Sequence, residues 1–192
     1  MNVSENFSAI SAKMFHYYKS LGDKSLARLD DKEIHLRISG ASNNVATIVK
    51  HMSGNMLSRF TDFLTSDGEK PWRKRDEEFD DTYSSKAEMM AAWEQGWACL
   101  FGALAAIPEA GLTDIVYIRN EGHTVLEAIT RQVAHYAYHT GQIVMIAKAI
   151  RDEDWESLSI AKGASDAYNQ DKFEQPQARR FFTDGKVAGS GA

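Results

Sequence analysis

Two histidines lie four residues apart in the stretch HYAYHTGQ, residues 135–142, within an otherwise apolar run. A helix has about 3.6 residues per turn, so His135 and His139 share one face and Gln142 continues the row. Two imidazoles at this spacing can bind one metal ion, as they do in helical metalloproteases. That motif needs a glutamate after its first histidine. Tyr136 stands there, so the pattern does not support metalloprotease chemistry.

A metal site needs a third ligand, and the candidate is His51 in the stretch TIVKHMSGNM. It occupies a comparable marginal position on another apolar helix face, with Asn55 one turn later and Arg59 another turn on. A polar row beside an apolar face is typical of a pocket wall. Asn55, Arg59 and Gln142 are therefore candidates for the pocket or for hydrogen bonds to the ligands. The alternatives are a bond to a neighbouring helix for Asn55, a solvated surface charge for Arg59 and a cap on the ligand row for Gln142.

Other arrangements of the histidines have less support. A di-iron site of the ferritin type needs Glu-x-x-His, and Gln132 stands where that glutamate should be. His16, His35 and His123 lie beside an apolar position, in a turn-rich stretch and before a helix start, respectively. The remaining alternative is that His135 and His139 are unrelated surface or core residues that bind nothing.

Composition limits the classes of partner. The 192 residues suit one domain, or one domain with a tail, and carry a net charge of -5. An acidic chain without a dense Lys/Arg cluster is a poor candidate for binding nucleic acid or an anionic membrane. The single cysteine, Cys99, excludes an intrachain disulfide and a Cys-rich zinc site. With no signal peptide at MNVSENFSAI and no long apolar run, we expect a cytoplasmic protein.

Apolar residues recur at helical spacing in four segments of roughly 20–28 residues, which predicts a four-helix bundle. Ser85 with Glu88, and Thr124 with Glu127, have the spacing of capping boxes at the third and fourth helix starts. The predicted helices run from Ser4 to Arg28, from Ser42 or Asn43 to about Leu64, from Ser85 to before Pro108, and from Thr124 to Arg151.

The connections and the C-terminus are predicted to be less regular. Residues 71–84 should form a loop whose Trp72 and Phe79 rings pack onto the body. The domain division places the bundle at residues 1–155, an irregular segment packed on it at 156–185, and a flexible tail at 186–192.

The blocks NVATIVKHMSGNM and AHYAYHTGQIV, with RFTDFLTSDGEKPWRKRDEEF and WESLSIAKG, resemble a largely uncharacterised branch of the DinB/YfiT-like superfamily. The resemblance implies an all-α, up-down-down-up four-helix bundle that is often a homodimer. It also implies a divalent metal, commonly zinc or nickel, held by one histidine of the second helix and two of the fourth. These positions fall on His51, His135 and His139.

Relatives in that superfamily include thiol transferases that use bacillithiol or mycothiol. They also include a mycothiol-dependent maleylpyruvate isomerase and DNA-damage-induced proteins with no established activity. The leading hypothesis is a metal-dependent transferase that adds a low-molecular-weight thiol to an electrophilic small molecule. A metal-dependent hydrolase using the same site, and a non-catalytic metal-binding or stress-response dimeric module, are the alternatives.

Overall fold

The structure, a computed structural model, describes residues 2–184, and most of the regular structure in it is helical. The expectation of an all-α protein is therefore confirmed at the level of fold class, with one small two-stranded sheet added. The helices are α1 Val3–Leu26, α2 Val45–Phe60, α3 Lys86–Ala105, α4 Val125–Arg151 and α5 Ser165–Phe173, and the strands are β1 Ile115–Ile118 and β2 Glu121–Thr124. No helix in this described part is long and apolar enough to cross a membrane.

The capping-box prediction is confirmed at α4 and only half formed at α3. Thr124 accepts a hydrogen bond from the Glu127 backbone N–H, and the Glu127 carboxylate accepts one from the Thr124 backbone in return. At α3 the Ser85 side chain accepts from the Glu88 backbone N–H, but the Glu88 carboxylate bonds Ser84 instead. Both starts still satisfy a backbone donor that would otherwise lack a partner.

Helix α2 is shorter than predicted, at 16 residues, and its N-cap is Asn44 rather than Ser42 or Asn43. The Asn44 side chain accepts from the Thr47 N–H and also donates to the Asp81 carboxylate at 2.6 Å. This contact with a distant segment selects Asn44 over its polar neighbours in the sequence.

The C-terminal end of α2 also comes earlier in the chain than the predicted end at about Leu64. The helix ends at Phe60, and the chain then turns at Asp62, which has a φ of 48°. The Asp62 carbonyl accepts hydrogen bonds from the backbone of Thr65 and Ser66. Phe63 is nevertheless buried, so the apolar pattern that suggested a longer helix reflects burial in the core and not helical geometry.

The long helices pack in pairs, with α2 against α3 and α1 against α4, and α2 also contacts α4. Trp97 of α3 lies at the centre of the core and is fully buried. Its ring centroid is 5.4 Å from that of Trp93, 5.7 Å from that of Tyr136 on α4 and 6.3 Å from that of Phe15 on α1. Aromatic side chains of this size contribute much of the buried apolar area that stabilises a core.

Strands β1 and β2 form an antiparallel hairpin that leads directly into α4. Its two turn residues, Arg119 and Asn120, have φ values of 57° and 62°, as a type I′ turn requires. The carboxylate of Asp67, in the loop after α2, accepts a hydrogen bond of 2.8 Å from the backbone N–H of each. This contact fixes the hairpin beside the end of α2.

The C-terminal segment is more regular than predicted, because α5 forms within the stretch expected to be irregular. Arg28, just after α1, donates to the Glu156 carbonyl at 2.9 Å and stacks over the Trp155 ring. The Phe182 ring lies 5.2 Å from that of Tyr17. The predicted tail, residues 186–192, lies outside the described residues.

Candidate metal centre

Three imidazoles from two helices converge between the middle of α2 and the middle of α4. His51 lies on α2, and His135 and His139 lie one turn apart on α4. The Nε2 atom of His135 is 3.3 Å from that of His51 and 3.1 Å from that of His139. One potential ligand atom from each of the three lies within 4.8 Å of the others. The structure thus brings together all three histidines that the sequence analysis singled out.

These distances fit a small divalent ion. Zinc–imidazole bonds of about 2.0–2.1 Å in tetrahedral geometry place neighbouring nitrogens about 3.3 Å apart. Without a cation, three lone pairs would point at one another across a half-buried space, an arrangement that a positive charge relieves. The donor set of three neutral nitrogens suits zinc or nickel better than the hard cations, which prefer oxygen ligands.

The opposite nitrogen of each ring is held by an oxygen. Nδ1 of His51 lies 2.9 Å from the Glu78 carboxylate, and Nδ1 of His139 lies 2.8 Å from the side-chain oxygen of Gln142. Nδ1 of His135 has a longer contact, 3.3 Å, with the oxygen of Gln132. These oxygens accept, so each Nδ1 carries the proton and each Nε2 presents its lone pair to the centre.

Glu78 is itself held in place from behind. Arg73, whose side chain is 2% exposed, donates to both Glu78 oxygens, at 2.8 and 3.0 Å. Burial alone would raise the pKa of Glu78, but the hydrogen bonds from His51 and Arg73 outweigh it and lower that pKa. Gly54 provides the space, since a Cβ there would lie 2.4 Å from a Glu78 oxygen. Glu78 therefore stays ionised and orients His51.

The imidazoles of His135 and His139 are held neutral, which is the form that binds metal. Burial, reinforced by the neighbouring His139 and His51, lowers the pKa of His135 to about 3. Burial also lowers the pKa of His139, with the Gln142 hydrogen bond acting in the opposite direction and His51 adding to the decrease. No proton therefore competes strongly for these two nitrogens near neutral pH.

A cavity of about 390 Å³ opens over the histidines. Asn55 and Arg59 line it, as the sequence suggested, but both are tied to other parts of the chain. The Asn55 oxygen accepts from the Tyr136 hydroxyl at 2.8 Å, so Asn55 also bonds a neighbouring helix. Arg59 is buried and pairs with Glu69 at 3.1 Å, so it is not a solvated surface charge. Gln142 bonds His139 from outside the cavity lining.

The two aromatic rings of the loop before α3 differ in how they pack, and two other histidines lie apart from the cluster. The Phe79 ring stacks on the His51 ring with centroids 5.0 Å apart, so the expectation that it packs inward is confirmed. Trp72 is 56% exposed, so the same expectation for this ring is wrong. Neither His16, stacked on Phe101, nor His35, paired with Asp81, belongs to the cluster.

Two residues that contact Nδ1 atoms of the histidines, Glu78 and Gln132, are not among the candidates that the sequence suggested. Gln132 stands three residues before His135, the same spacing that separates His139 from Gln142, so the repeat of His and Gln along α4 could have signalled it. Glu78 had no such signal. It lies in the charged run that follows Arg73, in a short 3₁₀ helix over residues 76–79, and only folding brings it to α2.

Comparison with known proteins gives one family. No curated protein and no solved structure matches the chain. The sequence model of a family described as a protein of unknown function, DUF1572, matches residues 2–164. That span includes α1 to α4, the hairpin and the three histidines, so the chain belongs to the DUF1572 family.

Proposed function

We propose that the protein binds one divalent metal ion, zinc or nickel, through the Nε2 atoms of His51, His135 and His139. The observation that carries the proposal is the pairing of roles in each ring: Nε2 faces the other histidines while Nδ1 bonds an accepting oxygen. Metal-binding histidines in proteins are commonly oriented by such a partner. A chance cluster of core histidines has no reason to place all three Nδ1 atoms on accepting oxygens.

We further propose that the chain is a DinB/YfiT-like protein whose α1 to α4 form an up-down-down-up four-helix bundle, acting as a cytoplasmic homodimer. The contacts of α1 with α4 and of α2 with α3 support that bundle. They pair each helix of the N-terminal half with a helix of the C-terminal half. The position of the histidines, one on the second long helix and two on the fourth, supports the family proposal.

The activity proposed for this site is transfer of a low-molecular-weight thiol to an electrophilic small molecule. Three protein ligands leave coordination positions open, and a metal held there would lower the pKa of a bound thiol. The cavity over the histidines gives the second reactant access. In an addition, the sulfur forms a bond to carbon and the thiol proton ends on the adjacent carbon, so no oxidant is needed. Arg73 and Glu78 keep His51 in position throughout.

The first test is metal content, measured by elemental mass spectrometry on protein purified without chelator. We expect about one metal per chain in the wild type and none in His51→Ala/His135→Ala/His139→Ala. His35→Gln is the control. This histidine lies outside the cluster, and glutamine keeps a polar partner for Asp81, so metal content should not change. Circular dichroism of the triple variant would show that it still folds. Wild-type protein that holds no metal, even after addition of zinc or nickel, would overturn the proposal.

The second test is turnover by the metal-loaded protein. Consumption of both a small thiol and an electrophile, dependent on the three histidines, would support the transferase. Ester or amide cleavage without thiol would favour the hydrolase. Full metal occupancy with neither reaction would leave a non-catalytic metal-binding or stress-response module.

A further inference from the structure

Five arginines line the cavity above the histidines, although the protein as a whole has a net charge of -5. They come from four parts of the chain: the end of α2, the loop before α3, the hairpin turn and the start of α4. Among residues 2–184, no aspartate or glutamate lines the cavity. We call this set the arginine pocket; its members are Arg59, Arg73, Arg75, Arg119 and Arg131.

The carboxylates behind the pocket do not neutralise all five. Glu69 alone pairs with three of the arginines, at 3.1 Å from Arg59, 3.3 Å from Arg73 and 3.1 Å from Arg119. Glu78 pairs with Arg73, which already shares Glu69. Two carboxylates thus serve three guanidinium groups, those of Arg59, Arg73 and Arg119.

The side chains of the other two arginines, Arg75 and Arg131, have few or no ion-pair partners among residues 2–184. The Arg131 side chain makes no hydrogen bond or ion pair with any residue between 2 and 184. Arg75 has only a 3.9 Å approach to Asp76, whose side chain is fully exposed, and a stacking contact with the Phe79 ring. Several N–H donors therefore remain available to a ligand.

The backbone of Arg119 is held in an uncommon conformation. Its φ of 57° lies in the left-handed region, which is unfavourable for a residue with a β-carbon. Asparagine or glycine is the favoured residue at this position of a type I′ turn. The turn instead carries an arginine whose guanidinium lines the cavity, and Asp67 holds the backbone in place. Local stability alone does not account for the choice of residue.

We infer that the arginine pocket binds a small anion carrying carboxylate or phosphate groups, and that the substrate beside the metal is therefore anionic. Planar guanidinium groups bind the oxygens of carboxylate and phosphate in pairs, which gives both affinity and orientation. The volume of about 390 Å³ suits a small molecule. This assignment of substrate class rests on the proposed function, because the same cavity must admit the reactant to the metal.

The anion is held by the exposed side chains of Arg131 and Arg119. The metal, when bound, adds a positive charge at the floor and strengthens the attraction. The arginine pocket therefore attracts a small anion although the net charge of the whole protein is -5.

The test is titration calorimetry of zinc-loaded protein with inorganic phosphate, with succinate and with neutral succinamide. We expect at least one of the two anions to bind at least about tenfold more tightly than succinamide. Arg131→Gln and Arg119→Asn should each weaken that binding by about tenfold. Arg119→Asn is well matched, because asparagine suits the turn and the loss is then not due to misfolding. Arg37→Gln, an exposed arginine outside the pocket, is the control and should bind as the wild type does.

The outcomes separate this inference from the proposed function. Phosphate or succinate binding that depends on the two arginines supports the inference and shows which anion class is preferred, whether or not any thiol is transferred. Binding equal to that of succinamide, or unchanged in both arginine variants, overturns it even if the protein holds a full complement of metal. Repeating the titration without metal distinguishes an anion held by the arginines from one held by the metal. Loss of all anion binding in the metal-free protein would also overturn the inference.

Discussion

The Glu78 carboxylate lies 2.9 Å from Nδ1 of His51 although the two residues are 27 positions apart in the chain. The contact keeps the proton on Nδ1 and turns the Nε2 lone pair towards His135. A histidine without such a partner could adopt either tautomer and rotate, so this single contact determines whether α2 supplies a usable ligand.

Replacing Gly54 with alanine should weaken metal binding without removing any polar group. The new Cβ would lie 2.4 Å from the Glu78 oxygen that accepts from Arg73, so the carboxylate must shift and its contact with His51 is disturbed. We expect the zinc affinity, measured by competition with a chromophoric chelator, to fall about 10–100-fold. Gly141→Ala on α4 is the matched control, because a Cβ there meets nothing within 4 Å. Equal affinities in the two variants would show that Glu78 does not orient His51.

Tyr136→Phe should destabilise the fold while leaving the three histidines intact. The change removes the hydroxyl that donates to the buried Asn55 oxygen at 2.8 Å, and nothing replaces it. An unsatisfied buried acceptor costs about 1–3 kcal/mol in the free energy of unfolding, which urea denaturation measures. Tyr138→Phe, at an exposed ring, should change it by less than about 0.5 kcal/mol. Equal effects of the two substitutions would mean that the Asn55 contact is not maintained in solution.

The Asp67 carboxylate should give the fold a stability that disappears in acid. Hydrogen bonds from the backbone of Asn120, Glu69 and Arg119 lower the pKa of Asp67 below 3.8, although partial burial opposes them. The folded state therefore binds fewer protons at Asp67 than the unfolded state, so the stabilisation is present above pH 3.8. It is lost as the pH falls through the folded pKa.

Comparing the wild type with Asp67→Asn tests this expectation. We expect the difference in free energy of unfolding to be about 1–3 kcal/mol at pH 7, because hydrogen bonds to a charged group are lost. The difference should become smaller at pH 3. A difference that does not change between these pH values would show that the turn does not depend on the Asp67 charge.

Gly22→Ala should disrupt the packing of α1 on α3. A Cβ at this position would lie 2.6 Å from a ring carbon of Trp93, which is 1% exposed and has no room to move. Overpacking of this kind costs about 1–3 kcal/mol, seen as a lower denaturation midpoint. Gly102→Ala on α3 meets nothing within 4 Å and should instead stabilise its helix by about 0.5–1 kcal/mol. A rise in the midpoint for Gly22→Ala would contradict the observed packing.

The sequence by itself determined the four long helices and the candidate ligands, because these depend on local periodicity. The spacing of His135 and His139 places them on one face of any helix, and Thr124 with Glu127 marks the start of that helix in a few residues. The all-α class and the polar row of His51, Asn55 and Arg59 follow from the same 3.6-residue repeat.

Tertiary structure alone decided the partners of these residues, because contacts between distant segments have no periodic signature. Asn44 became the N-cap of α2 through its bond to Asp81, and α2 ended at Phe60 where the chain turned at Asp62. Glu78 reached His51 only when a charged loop folded across α2. The arginine pocket likewise collects side chains from four separate segments, whose common charge becomes apparent only when they face one cavity.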